Sequence, residues 1–86
     1  MASFEIIWKS SAERELRNLD RQYIQKILDL AHSLSDDPLP LHSRKLSGAK
    51  STYRVRISDY RIIYQVDKKN NLVTIFHVRH RKDAYR

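Results

Sequence analysis

The second half of the sequence alternates between apolar and polar side chains. Tyr53, Val55 and Ile57 are separated by Arg54 and Arg56, a period of two that is typical of a strand with one buried face. Two further apolar runs follow, and a short polar segment precedes each of them. The pattern predicts three consecutive strands and two turns, namely strands at 53–57, 60–66 and 72–79, a two-residue hairpin loop at 58–59 and a turn at 68–71.

In the first half of the sequence, the apolar residues recur at the longer spacing that is typical of helices. An apolar-aromatic run at 4–8 favours a short strand. Ser10 followed by Glu13 predicts a capping box, Asp20 predicts the N-cap of a second helix, and Pro38 lies just past its end. The apolar stripes of the two helices are Ala12, Leu16 and Leu19, and then Tyr23, Ile27, Leu30, Ala31 and Leu34.

The predicted element order is β-α-α-β-β-β. This is an α+β fold in which an N-terminal strand and a helical hairpin pack on an antiparallel sheet. Residues 1–86 form a single domain, because a chain of 86 residues leaves no room for a second core. A linker that continues to about residue 52 joins the two halves. The partner of the first strand stays open at this point.

The predicted hairpin loop decides which side chains share a face. With 58–59 as the loop, Arg56 lies directly opposite Arg61, and Arg54 lies two positions along on the same face. The opposite, apolar face is where we expect the helices to pack, and it collects Tyr53, Val55, Ile57, Ile62, Tyr64, Val66, Val73 and Ile75.

Pairing across the 68–71 turn extends both faces into the last strand. In the register set by that turn, Thr74, Phe76 and Val78 lie on the face of the arginines, and His80 continues their line beyond the strand. We therefore expect an imidazole close to the arginines.

Positive charge is concentrated in the second half of the chain. The formal net charge is +7, made of −2 over residues 1–42 and +9 over residues 43–86. This asymmetry indicates a polyanionic partner, either nucleic acid or an acidic protein. Arginines paired directly across strands repel each other, so their convergence favours a phosphate site. The alternative is that the charges protect a strand edge from aggregation.

Composition narrows the class of protein. The sequence has no cysteine, which excludes disulfides and Cys-based zinc sites. No signal peptide and no run of about 20 apolar residues is evident. Asp59, Asp67 and Asp83 are scattered in turns and the tail, so no acidic cluster predicts a metal ion. We expect a soluble, cytoplasmic protein without membrane contact, metal or cofactor.

Three segments together resemble the RelE/ParE superfamily of toxin–antitoxin systems over essentially the whole chain. They are KLSG at 45–48, YRVRISDYRIIYQVD at 53–67 and VRHRKDAYR at 78–86. The resemblance implies the β-α-α-β-β-β fold derived above. For the RelE type, it also implies ribosome-dependent cleavage of mRNA in the A site and silencing by a cognate antitoxin in a hetero-oligomer.

The resemblance also suggests which residues carry the chemistry. Cleavage by 2′-hydroxyl attack needs a base, positive charge on the phosphorane and an acid at the leaving oxygen. Arg54 and Arg56 replace lysines of some RelE toxins, and arginine is a poor base. This leaves His80 as the base or acid candidate. The candidate catalytic residues are Arg54, Arg56, Arg61, His80, Arg81 and Tyr85, and the candidate RNA contacts are Lys45, Lys50, Arg79, Lys82 and Arg86.

Two other functions remain open from the sequence. The ParE branch of the superfamily shares the fold and inhibits DNA gyrase. A non-catalytic RNA- or ribosome-binding module would use the same basic face without cutting RNA, and the lack of an evident base keeps this possibility open. His32, His42 and His77 are expected to be structural: helix surface, loop and sheet interior.

Overall fold

The computed structural model describes residues 3–46, 48 and 50–80. Its elements are β1 Glu5–Trp8, α1 Ser10–Arg17, α2 Arg21–Ser33, β2 Arg44–Lys45, β3 Thr52–Ile57, β4 Tyr60–Asp67 and β5 Leu72–His80. The predicted α+β order is confirmed, with the two-residue strand β2 added inside the predicted linker. Within the described residues, neither helix has the length and apolar character needed to cross a membrane.

All strands belong to one five-stranded sheet in the order β1-β5-β4-β3-β2. The predicted meander of β3, β4 and β5 is antiparallel, and its first loop is the predicted pair 58–59, since Ile57 pairs with Tyr60. The partner of β1 is β5, which runs parallel to it with Ile6 opposite Val73. Because a parallel pair needs a crossover, the chain between them must pass over the sheet.

The helical hairpin covers the predicted apolar face of the sheet. Ile27, Ala31 and Leu34 of the second helical segment are at most 2% exposed, as are Val55 and Ile62 beneath them. Each of the Ile, Leu and Val side chains in this set contributes about 1.5–3 kcal/mol when it leaves water. The buried core consists of Ala12, Ile27, Ala31, Leu34, Val55, Ile62, Tyr64, Val66, Val73, Ile75 and Val78.

The start of α1 differs from the prediction. The helix begins at Ser10 with Lys9 at the N-cap and makes no side-chain cap hydrogen bond, so the predicted capping box is wrong. Lys9 N donates to Ile75 O at 2.9 Å, so the chain passes from sheet pairing directly into the helix. Asp20 occupies the predicted N-cap of α2, although its side chain makes no cap hydrogen bond.

A β-bulge interrupts the pairing of β4 with β5. Ile63 pairs with His77 and Tyr64 pairs with Ile75, so Phe76 is an extra residue in β5. A bulge of this kind adds one residue to one strand and reverses the alternation beyond it. Every residue of β5 after the bulge therefore points to the face opposite to the one predicted.

This reversal corrects part of the predicted face. Thr74, which precedes the bulge, lies on the side of the arginines as predicted. Val78 and His80 lie on the apolar side, so their predicted placement beside Arg61 is wrong. The residue directly opposite Arg61 is Arg79.

Helix α1 completes the hydrogen bonding of β5 beyond the end of β1. The last β1 pair joins Trp8 to Ile75. After it, Ser11 Oγ donates to Phe76 O at 2.8 Å, and Val78 N donates to Glu15 Oε1 at 3.1 Å. Two side chains one helical turn apart thus replace the missing strand and protect the backbone of the edge.

Candidate nucleic-acid interface

The sheet face turned away from the helices carries a group of arginines, which we call the arginine face. The predicted placement of Arg54, Arg56 and Arg61 on one side is confirmed by the register, in which Arg56 lies opposite Arg61. Arg44 lies opposite Arg54, and Arg79 lies opposite Arg61. The arginine face therefore consists of Arg44, Arg54, Arg56, Arg61 and Arg79.

Three of these side chains form a line across β3, β4 and β5, the arginine row: Arg56, Arg61 and Arg79. Neighbouring strands lie about 4.8 Å apart, so the row places guanidinium groups side by side. The central residue, Arg61, is only 4% exposed, whereas Arg56 is exposed. Guanidinium groups stay protonated in proteins. The row is therefore a fixed strip of positive charge, suited to a phosphate group.

One end of the arginine row is held by a carboxylate of α1. Arg79 Nε lies 3.6 Å from Glu15 Oε2, and His77 Nδ1 lies 3.1 Å from Glu15 Oε1. Arg79 Nη2 lies 3.4 Å from both ring nitrogens of His77, so the guanidinium packs against the imidazole. His77 was expected in the sheet interior, but the bulge places it on the arginine face.

A cleft of about 500 Å³ at the end of the sheet, the end cleft, brings Arg79 and His80 together; Tyr60 also lines it. The His80 ring stands edge-on to Tyr60, with ring centroids 5.2 Å apart and planes at 89°. Burial, with smaller effects of Tyr23, Asp20 and Asp59, raises the pKa of Tyr60, so its phenol remains protonated. Although His80 lies on the apolar side, this cleft is lined by both His80 and Arg79, the end member of the arginine row.

A second cleft, of about 380 Å³, opens at the β2 edge of the sheet and is lined by His42, Arg44, Arg54 and Arg56. We call it the edge cleft. Sequence reasoning missed Arg44 because β2 has only two residues, too few to show alternation. It treated His42 as a loop residue, since nothing in the local sequence places that loop against β3.

The remaining predicted contacts lie elsewhere. Lys45 pairs with Tyr53, so it projects to the side opposite the arginine face. Lys50 is exposed in the loop before β3. Arg81, Lys82, Tyr85 and Arg86 lie outside the described residues.

Among the described residues, one acidic side chain, Glu15, lines the end cleft, and none lines the edge cleft. Hydrogen bonds from the side chain and backbone of Asn70 lower the pKa of Asp67, and they bind this carboxylate into the turn after β4. In the part of the chain that the structure describes, no group of three or more His, Asp or Glu side chains is placed to hold a metal ion.

Comparison with known proteins identifies the family. Residues 6–85 match the family described as "ParE toxin of type II toxin-antitoxin system, parDE". Toxin RelG of Mycobacterium tuberculosis is 32% identical over 88 residues, covering 96% of this chain and 97% of that protein. The putative toxin RelE1 of Methanocaldococcus jannaschii is 28% identical, covering 85% of this chain and 84% of that protein.

Solved structures agree with the sequence matches. The RelBE2 toxin–antitoxin complex of Mycobacterium tuberculosis superposes with a TM-score of 0.81 at 25% identity, covering 91% of this chain and 98% of that chain. The RelE–RelB complex of Pyrococcus horikoshii gives a TM-score of 0.82 at 25% identity, covering 92% and 96%. This chain therefore belongs to the RelE/ParE superfamily and is a toxin of a type II toxin–antitoxin system.

Proposed function

We propose that this toxin is an endoribonuclease that cleaves mRNA in the ribosomal A site and thereby stops translation in the cytoplasm. The observation that carries the proposal is the arginine row, in which Arg56, Arg61 and Arg79 pair directly across three adjacent strands. Such pairs destabilise a sheet. An anionic substrate offsets this repulsion when it binds, which supports a role for the row in holding RNA.

The proposed reaction needs no metal ion. The ribose 2′-oxygen forms a bond to the adjacent phosphorus, the bond from phosphorus to the 5′-oxygen breaks, and a cyclic phosphate and a free 5′-hydroxyl result. Negative charge grows on the phosphoryl oxygens in between, and fixed guanidinium groups stabilise that charge more strongly than water does. Arg61 lies at the centre of the row, so we assign it the main share of this role, with Arg54 and Arg56 beside it.

Two proton transfers accompany the reaction. The 2′-hydroxyl loses a proton to a base, and the leaving 5′-oxygen gains one from an acid. His80 is our candidate for one of these groups, because it shares the end cleft with Arg79. We further propose that Arg81 contacts the phosphate and that Tyr85 stacks on a base, while Lys50, Lys82 and Arg86 add positive charge for RNA binding. Lys45 is left out of this set, because its pairing with Tyr53 places it on the opposite side of the sheet.

The proposed protein partner is a cognate antitoxin. The RelBE2 and RelE–RelB complexes named above contain a toxin and an antitoxin. We propose a hetero-oligomer in which the antitoxin silences this toxin by covering the arginine face or by displacing the tail. Expression of the toxin alone is then expected to arrest growth, and co-expression with the antitoxin is expected to restore it.

A second candidate function is inhibition of DNA gyrase through protein contact. It is favoured by the family match, whose description names ParE. The arginine row has no evident use in gyrase inhibition. For this reason we place that function second.

One set of assays separates these functions. Purified toxin is incubated with ribosomes carrying a defined message, the new 3′ ends are mapped, and gyrase supercoiling is measured in parallel. We expect cleavage only when ribosomes are present. Replacement Arg61→Ala is expected to lower the cleavage rate by about 100-fold, the loss typical when a charge-stabilising donor is removed. The control Lys26→Ala removes an exposed positive charge on α2 and should leave the rate unchanged.

Two other results of these assays would replace the endoribonuclease proposal with another function. Gyrase inhibition without RNA cleavage would overturn the proposal in favour of the ParE function. Ribosome binding without either activity would indicate a non-catalytic module.

A further inference from the structure

The edge cleft is built almost entirely from positive and aromatic groups. Arg44, Arg54 and Arg56 supply three guanidinium groups, and His42 supplies an imidazole. Arg44 and Arg54 are a direct cross-strand pair, as Arg56 and Arg61 are. The cleft therefore continues the arginine row to the β2 edge and shares Arg56 with it.

Among the residues that the structure describes, no carboxylate forms an ion pair with the guanidinium groups of Arg44, Arg54 or Arg56. This contrasts with Arg79, which Glu15 holds at 3.6 Å. Since arginine does not lose its proton, the positive charge of the cleft is permanent, and only an anionic ligand can relieve it.

The loop before β2 is held in one conformation. Ser43 N and Ser43 Oγ both donate to Pro40 O, at 2.9 and 2.8 Å, which closes the turn that contains His42. The Tyr64 hydroxyl donates to Pro38 O at 2.8 Å and ties the same loop to the core. Preorganised groups lose less entropy on binding. His42 is therefore presented on a fixed turn at the mouth of the cleft.

We propose that the edge cleft is a second phosphate subsite, which binds a phosphodiester of the same RNA strand next to the one cleaved, while the His42 ring stacks on the adjoining base. Arg44 lies opposite Arg54 on the outer strand β2, so it can hold the neighbouring phosphodiester while Arg54 and Arg56 face the one that is cleaved. Stacking of bases on histidine and on guanidinium planes is common in single-stranded RNA recognition. The inference rests on the proposed function, because it takes RNA from that function as the ligand.

The test uses the full chain and a labelled 2′-O-methyl RNA strand, which cannot be cleaved because the attacking hydroxyl is blocked. Affinity is measured over a series of salt concentrations. For single strands, each lost phosphate contact lowers the slope of log affinity against log salt by about 0.7. We expect Arg44→Ala to lower the slope by this amount and the affinity at low salt at least fivefold. Arg44→Lys should retain the slope, because it keeps the charge.

His42 provides an independent measurement. At a pH where the imidazole is neutral, His42→Ala is expected to lower the affinity severalfold without changing the slope, because stacking involves no counterion release. The matched control is Lys26→Ala, which removes one positive charge from α2 on the other side of the sheet and should change neither quantity.

The outcomes distinguish this inference from the proposed function. Equal slopes and affinities for Arg44→Ala and Lys26→Ala would overturn the subsite. The subsite would also be overturned if Arg44→Ala lost binding to a poly-glutamate peptide and kept its affinity for RNA. The cleft would then bind an acidic protein segment. A wild-type toxin that binds the RNA strand through Arg44 but does not cut mRNA on ribosomes would overturn the proposed function and leave the subsite intact.

Discussion

The two faces of the sheet use the same strands for opposite purposes. In β3 and β4, Val55 and Ile62 point into the core and are fully buried. Their sequence neighbours Arg56 and Arg61 point the other way, directly opposite each other. The apolar face gains free energy from burial, whereas the arginine face loses some through repulsion. Core packing and the proposed RNA contacts are therefore separated by a single step along each strand.

This separation predicts that mutations on the two faces will have different effects on stability and activity. Changes on the apolar face should lower the free energy of unfolding and affect activity only through folding. Changes of exposed side chains on the arginine face should affect the proposed RNA cleavage and leave stability nearly unchanged, or even raise it. Pairs of neighbouring residues test this expectation directly.

The largest expected effect comes from Ile62, compared with Ile63. Ile62 is fully buried on the apolar face, whereas Ile63 is only partly buried on the arginine face. Ile62→Ala is expected to lower the free energy of unfolding by about 3–4 kcal/mol through lost burial and a cavity. Ile63→Ala should cost less than half as much. Urea denaturation followed by circular dichroism gives both values, and equal losses would contradict the assignment of the two faces.

Tyr64 should make stability fall at alkaline pH. Burial raises the pKa of Tyr64 to about 12 from its ordinary value of 10.0, so folding favours the neutral phenol. Its contribution is therefore complete below pH 10 and is lost as the pH rises towards 12, by about 2–3 kcal/mol. Tyr64→Phe removes this loss but costs about 1 kcal/mol at neutral pH, because the hydrogen bond to Pro38 is absent.

The measurement for Tyr64 is the free energy of unfolding of both proteins at pH 8, 10 and 11.5. Other ionisable groups change both proteins equally, so the difference between them isolates Tyr64. A difference that does not change with pH would show that this phenol has an ordinary pKa.

Replacement of His80 tests whether the end cleft takes part in the reaction. We expect His80→Ala to lower the rate of mRNA cleavage at least about tenfold with folding intact, as for loss of a general acid or base. His32→Ala, on the exposed surface of α2, is the control. An unchanged rate for His80→Ala, with a large loss for His77→Ala, would move the proton transfer to the arginine face.

The smallest expected effect is a gain in stability. Arg56→Gln removes one of two like charges that lie directly opposite each other. We expect the free energy of unfolding to rise by about 0.5 kcal/mol at low salt, and the gain should shrink in high salt because of screening. Cleavage should be slower at the same time. Lys26→Gln, on α2, serves as the control. If Arg56→Gln lowered the free energy of unfolding, the repulsion between Arg56 and Arg61 would already be compensated in the wild-type protein.

Local patterns in the sequence were enough to predict much of this fold. The alternation around Arg54 and Arg56 fixed their face, and a two-residue loop fixed the pairing with Arg61. Both depend only on residues close together in the chain, and a period of two leaves little freedom in register. The limits of α2, at Arg21–Ser33, follow in the same way from the apolar stripe, Asp20 and the prolines.

Contacts between distant segments decided what the sequence alone could not. The bulge at Phe76 coincides with the edge where Ser11 and Glu15 of α1 replace a strand, and it exchanged the predicted positions of Val78 and Arg79. The bulge coincides with a change of phase in the alternation, since the apolar positions move from Val73 and Ile75 to Phe76 and Val78. The contacts with α1 leave no such mark.

The parallel pairing of β1 with β5 and the brief pairing of Arg44 with Arg54 also join segments far apart in the chain. The sequence by itself determined that arginines share a face. The tertiary structure decided that Arg44 and Arg79 join Arg54, Arg56 and Arg61 on that face, and that two clefts open at the two ends of their line, because those positions depend on packing between elements rather than on periodicity within one.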